Sequence, residues 1–257
     1  MINFPQSLHL IESFKKSDDY LLIKEIESIR RSFNIFSGNY KDLRNALDEH
    51  NLMSSNNSLW ESKEIRWEIQ DRLTRLLFNF CSAAAALVPH TRNHRDKLYN
   101  QADKIFIEYE EFLDKEFRNN LEHHFIIGLR NFISHDKLPA IVSIKRFHGK
   151  ITTTSFNIKK SSLEFEDSNW KAKAKDFIND QQENIDVEKL VDRYFLRVEE
   201  LHNWYSHRQL QHHKEIYAKV IHEKKTLLRS AIEDRITTAL PYDQEDIDRE
   251  EQVLNSL

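Results

Sequence analysis

Glycine and proline are scarce in this chain, three and four residues in 257, and cysteine occurs once. So few residues suited to tight reversals favour long helices joined by short connections. The same shortage excludes a glycine-rich phosphate loop of the P-loop or dinucleotide type, which needs several glycines within a few positions. A lone cysteine excludes a disulfide framework and a cysteine-based metal site. Cys81 sits in the apolar run from Phe78 to Val88 and reads as a packed thiol. No stretch approaches about 18 consecutive apolar residues, and no basic segment followed by an apolar one opens the chain, so neither a membrane contact nor a secretory leader is expected. The expected location is the cytoplasm. No serine-nucleophile motif is present, and no cofactor is expected. A net charge of -4 excludes a uniformly basic coat, which confines any nucleic-acid site to a local patch.

What the chain has is charge, at 31% of residues, and helical periodicity. Residues 4 to 53 read as two or three short helices, broken at Gly38 and at the polar run Ser54 to Ser58. Ser58 and Glu61 have capping-box spacing for a helix whose core positions include Ile65, Ile69, Leu73, Leu76, Leu77, Phe80 and Ala84. Pro89 is expected to end or kink that helix. Further helices are expected over about 96 to 114 and 115 to 136. From Ile141 to Ile158 the residues become β-branched and alternate, which predicts a hairpin turning at His148 and Gly149. Val187, Leu190, Val191, Tyr194, Val198, Leu201 and Tyr205 form an apolar stripe, and no glycine or proline interrupts Asp186 to Leu240. One very long helix or two stacked helices fit that stretch, and the acidic residues after Pro241 read as a short helix or an unstructured tail.

Chemistry concentrates in the run Leu129 to Pro139, where Arg130 and Asn131 precede His135 near the end of an amphipathic helix. An arginine that can hold phosphate charge and an imidazole that can move protons are what metal-free RNA cleavage requires. Spacing alone does not single them out. Arg44 with His50, Arg118 with His123, Arg197 with His202 and Arg208 with His213 have similar separations, and Arg44 and Arg118 are also followed by asparagine. The surroundings of Arg130 differ: at about 100° per residue, Arg130, Asn131, Ser134, His135, His123 and His124 fall on one polar arc, opposite Phe125, Ile126, Leu129, Phe132 and Ile133. A polar face built from histidine, asparagine and arginine suits a cleft or an interface, and a hydrogen-bonded helix face is the alternative. Just after it come Lys137, Lys145, Arg146, Lys150, Lys159 and Lys160, with no carboxylate between Lys137 and Leu163. That local charge suits phosphate steering, or else lysines guard exposed strand edges.

The run LRNFISHDKLP resembles the signature of the HEPN (higher eukaryotes and prokaryotes nucleotide-binding) superfamily, whose ribonuclease members carry arginine, often followed by asparagine, and histidine after four to six residues. The stretch from Arg72 to Arg95 looks like the preceding core helix of bacterial members, and the basic hairpin and later helices follow in similar order. The resemblance covers roughly residues 60 to 215; Pro89 and the first 58 residues depart from it. It implies a mainly α, HEPN-like helical bundle with an inserted β-hairpin and a long C-terminal helix. The implied organisation is an N-terminal helical appendage over residues 1-58, a core over 59-215 with the hairpin at about 140-159, and a C-terminal extension with an acidic tail over 216-257. The implied activity is a metal-independent endoribonuclease leaving 2′,3′-cyclic phosphate and 5′-OH ends, with Arg130, Asn131 and His135 catalytic. The cations from Lys137 to Lys160 would bind RNA, and His123, His124 and Ser134 would line the site. Enzymes of this family bring two motifs together in one cleft by dimerising, so a homodimer with a composite site is implied. The biological setting implied is a toxin or anti-phage effector, whose regulation would need a regulatory protein partner or another part of the chain. A non-catalytic helical module binding RNA or a protein is the other reading.

Overall fold

The computed structural model describes residues 6–55, 62–148, 151–163 and 170–256. The elements run α1 (Gln6–Lys15), α2 (Asp18–Ser55), α3 (Lys63–Leu98), α4 (Lys104–Leu113), a π-helical turn (Asp114–Arg118), α5 (Leu121–His135), β1 (Ile141–His148), β2 (Ile151–Lys159), α6 (Ala172–Asp180), β3 (Asn184–Asp186), α7 (Val187–His212), α8 (Lys214–Glu233) and α9 (Gln244–Asn255). The protein is therefore mainly helical, with one small antiparallel sheet.

Several boundaries differ from those the sequence suggests, each for a packing reason. Gly38 does not break α2, because Phe33, Phe36, Leu43 and Leu47 keep one buried face on both sides of it. Burying those side chains outweighs the roughly 1 kcal/mol that an interior glycine costs a helix. Pro89 does not end α3 either: Leu87, Thr91, His94 and Arg95 are buried around it, and the helix continues to Leu98. Its N-cap is Ser62, whose Oγ accepts from the Ile65 amide at 3.3 Å; Ser58 and Glu61 lie outside the described residues. Residues 96–98 thus belong to α3, and α4 starts only at Lys104. Residues 114–118 form the π turn, and α5 starts at Leu121 with Asn120 as its cap, accepting from the His123 amide at 2.9 Å. Between Asp186 and Leu240 there are two main helices, parted at His213, where the backbone leaves helical angles. The acidic tail folds as α9, started by a reciprocal capping box between Asp243 and Asp246.

The hairpin pairs Ile141 with Ile158 and His148 with Ile151. Gly149 and Lys150 lie outside the described residues. A third strand, β3, joins β2 with Ile185 opposite Ile158, so the hairpin is two thirds of a three-stranded sheet. Three residues are too few to show an alternating pattern in a sequence.

Two apolar clusters organise the packing. The larger gathers α2 from Ile29 onward with α3, α5, the sheet, α6 and α7, and includes Phe36, Leu43, Leu77, Phe80, Phe125, Leu129, Phe156, Ile158 and Tyr194. The second joins α1 and the start of α2 to α8 and α9 through Ile11, Phe14, Ile23, Val220, Ile221, Ala231, Ile247 and Leu254. α2 contributes to both clusters, and α1 shares its core with α8 and α9. In that second cluster the ammonium of Lys224, buried beneath α9, bonds both Glu250 carboxylate oxygens at 2.6 and 2.7 Å.

α5 runs through the larger core with Phe125, Ile126, Leu129 and Phe132 buried. Trp170 packs across it, its ring centroid 5.7 Å from that of Phe125 and 5.2 Å from that of Phe132, while its Nε1 donates to the Leu163 carbonyl at 3.1 Å. Gly128 makes this approach possible, since a Cβ there would lie 2.8 and 2.9 Å from two Trp170 ring carbons. This close packing supports the last two turns of α5, where the arginine, asparagine and histidine stand.

Candidate active site

The five arginine and histidine pairs that look alike in sequence have different surroundings once folded. Arg44 is held by Glu188, Asp192 and Asp48, Arg118 by Glu110 and Asp114, Arg197 by Glu116, and Arg208 by Glu108. Their histidines are engaged as well. His50 is buried with Nε2 2.9 Å from Ser143 Oγ, His123 Nδ1 lies 3.2 Å from the Tyr194 hydroxyl, His202 stacks on Phe33, and His213 Nε2 lies 3.2 Å from the Tyr99 hydroxyl. Arg130 has no carboxylate partner among the described residues; one Nη donates to Asn131 Oδ1 at 3.1 Å. Asn131, Ser134 and His135 are exposed, and the His135 ring makes no hydrogen bond among the described residues. A guanidinium has five N–H donors, so most of those on Arg130 remain for an anion.

Local geometry explains why His135 is presented. It is the last residue of α5; Asp136 follows as the C-cap, and the amides of Asp136 and Lys137 both donate to the Phe132 carbonyl, at 2.9 and 3.2 Å. The chain thus turns away directly behind the imidazole. Asn131 and His135 share a surface depression of about 310 Å³ with Gly128, Phe132, Asp136 and Trp170. Arg130 adjoins it through Asn131. Asp136 and Trp170 carry no signal in the sequence: the first looks like a helix-terminal residue, and the second is brought in by the tertiary fold.

Other residues expected at this site lie elsewhere. His123 and His124 are about 16 to 18 Å from His135 along the helix axis, and about 10 Å from Arg130, at 1.5 Å per residue. Both line a separate cavity at the opposite end of α5. Burial pushes the His123 imidazole down to about 4, with neighbouring His124 and Arg197 acting in the same direction; His124 Nε2–H donates to the Arg118 carbonyl at 3.1 Å.

The basic residues do not form one face. In β1 and β2 side chains alternate, so Arg146, opposite Thr153, and Lys159 belong to one face of the hairpin, while Lys145, opposite Thr154, belongs to the other. Lys160 caps α6: its ammonium donates to the Asn179 and Gln181 carbonyls, both at 3.0 Å. Lys137 is half-buried at the turn after α5.

No protein-family model, curated protein or solved structure matches this chain. Among the described residues no helix is long and apolar enough to cross a membrane.

Proposed function

We propose that this chain is a metal-independent endoribonuclease of HEPN type, in which Arg130 and His135 carry the chemistry. The observation that supports this is selective: among five arginine and histidine pairs of similar spacing, only this one has an arginine without an acidic partner and a solvent-facing imidazole without a hydrogen bond among the described residues. Folding that leaves one such pair open while engaging the other four suits a group that meets a ligand.

In the proposed reaction an imidazole takes the proton from a ribose 2′-OH as its oxygen attacks the adjacent phosphorus. The bond from phosphorus to the 5′ oxygen breaks, and a second imidazole supplies the proton that the leaving oxygen needs. The products are a 2′,3′-cyclic phosphate and a 5′-OH. Arg130 holds the charge that grows on the non-bridging oxygens, and Asn131, bonded to Arg130, orients the guanidinium. In an in-line displacement the attacking and leaving oxygens lie on opposite sides of phosphorus, and each subunit offers one such histidine. The reading therefore requires two copies related by a two-fold axis, each contributing His135. Arg146 and Lys159 on one face of the hairpin, with Lys145 on the other, add positive charge beyond α5 and steer the RNA backbone. A role in toxicity or phage defence, with a partner restraining the activity, follows the same resemblance.

The test is to incubate the EDTA-treated protein with a single-stranded RNA and identify the ends. Fragments that carry 2′,3′-cyclic phosphate and 5′-OH, made by a dimer, support the reading. Absence of cleavage, with RNA still bound, favours a binding module instead.

A further inference from the structure

A second hollow lies at the other end of α5 from Arg130 and His135. It is a cavity of about 420 Å³ bounded by α3, α4, the π turn, the start of α5 and α7, within the usual range of about 300 to 1,000 Å³ for small-molecule sites. Its walls are mostly apolar and aromatic: Leu87, Val88, Leu113, Phe117, Val198 and Leu201, with the rings of Tyr109, Tyr194 and Tyr205. Two of those hydroxyls are already engaged inside the protein, Tyr194 against His123 Nδ1 and Tyr205 against His94 Nδ1, each at 3.2 Å.

The charges at the cavity divide unequally. Glu110 is neutralised twice, by Arg95 and by Arg118, and Arg118 also meets Asp114. Arg92 is different: it lines the cavity, is exposed, and has no acidic partner among the described residues. His123 and His202 are both held neutral by burial, near about 4. The whole is an apolar, ring-lined hollow with neutral imidazoles inside and one uncommitted guanidinium on its lining.

We infer that this cavity binds a small organic anion with an aromatic body, the rings and aliphatic side chains enclosing the body and Arg92 pairing with the anionic group. The aromatic walls, His123 and Phe117 among them at 5.4 Å between ring centroids, favour a planar guest by edge and face contacts. A guanidinium is suited to a carboxylate, sulfonate or phosphate alike. The site is independent of the proposed nuclease reading, since none of its lining residues belongs to Arg130, Asn131 or His135.

The probe is 8-anilinonaphthalene-1-sulfonate, which has an aromatic body and one anionic group, followed by fluorescence titration of the intact protein. The neutral N-phenyl-1-naphthylamine serves as its uncharged counterpart. Saturable binding of one sulfonate probe per chain is expected. Arg92→Glu, at an exposed position, should weaken it about ten-fold or more while leaving the neutral probe unchanged, since only the sulfonate loses a charge-assisted bond. Val88→Trp and, from α7, Leu201→Trp should each fill the hollow and abolish binding of both probes; a variant whose thermal unfolding is not cooperative is replaced by the other. Unsaturable binding, equal affinity in Arg92→Glu, or unchanged binding in a folded tryptophan variant would each overturn the inference.

Discussion

The same substitution, glycine to alanine inside a helix, should have opposite effects at Gly38 and Gly128. Alanine is worth about 0.8–1.0 kcal/mol over glycine in a helix interior, through reduced freedom of the unfolded chain. At Gly38 the added methyl meets nothing within 4 Å, so the gain is realised and Gly38→Ala should stabilise by about 1 kcal/mol. At Gly128 the same methyl would lie 2.8 and 2.9 Å from Trp170 ring carbons, closer than real Cβ atoms come. That ring cannot swing aside freely, because it stacks on Phe125 and Phe132 and its Nε1 is bonded to Leu163. Overpacking costs about 1–3 kcal/mol, which exceeds the propensity gain, so Gly128→Ala should lose up to about 2 kcal/mol net. Urea unfolding followed by far-ultraviolet circular dichroism measures both. Adding Trp170→Leu should remove the penalty for Gly128→Ala, a coupling that a double-mutant cycle reads directly. Gly128→Ala as stable as Gly38→Ala would refute the close approach of Trp170 to α5.

Other outcomes follow from the same packing. Glu250→Ala leaves the Lys224 ammonium buried without its counter-charge and should cost about 3–5 kcal/mol; a loss below about 1 kcal/mol in urea unfolding would mean that α9 does not cover Lys224. His123 and His202 titrate near about 4 in the folded protein against about 6.5 when unfolded, so the unfolded chain binds more protons between those values. Stability should therefore fall as pH drops through that window, with the histidine contribution fully lost below the folded value. A His123→Gln protein should show a shallower slope of stability against pH from 6.5 to 5, and an unchanged slope would contradict its burial as a neutral group. Reversing Lys145, Arg146 and Lys159 to glutamate should weaken RNA binding and reduce the slope of log affinity against log salt by about 0.7 for each phosphate no longer neutralised. An unchanged slope would return these residues to guarding the strand edges.

The helical stripe of α7, the apolar face of α5 and the pairing of β1 with β2 were legible because each has a period that a sequence displays. Gly38 as a break and Pro89 as a stop misled in the same way: both are locally poor in helices, yet burial on either side of each holds the helix continuous. The strand β3 was invisible because three residues carry no period, and its partner β2 lies 25 residues upstream, from Lys159 to Asn184. A helical wheel put His123 and His124 on the arc with Arg130, but a wheel omits the axial distance and the neighbouring helix α7, whose Tyr194 takes His123. The count of hairpin lysines likewise showed net charge but not that Lys160 is committed to the end of α6. What distinguished Arg130 from Arg44, Arg118, Arg197 and Arg208 was the absence of an acidic partner among the described residues, and partners such as Glu188 and Asp192 come from distant parts of the chain.

RNA cleavage in EDTA by matched single variants tests the central claim most directly. Removing a general acid-base group costs about 10²- to 10⁴-fold, and removing a donor to the developing charge about 10²- to 10³-fold. His135→Ala and Arg130→Ala should each lose at least about two orders of magnitude in rate, with urea midpoints and oligomeric state unchanged because neither side chain is buried. His222→Ala, an exposed histidine on α8, should cleave like the unaltered protein. Cleavage by His135→Ala at the rate of the unaltered protein, in the same oligomeric state, would contradict the assignment.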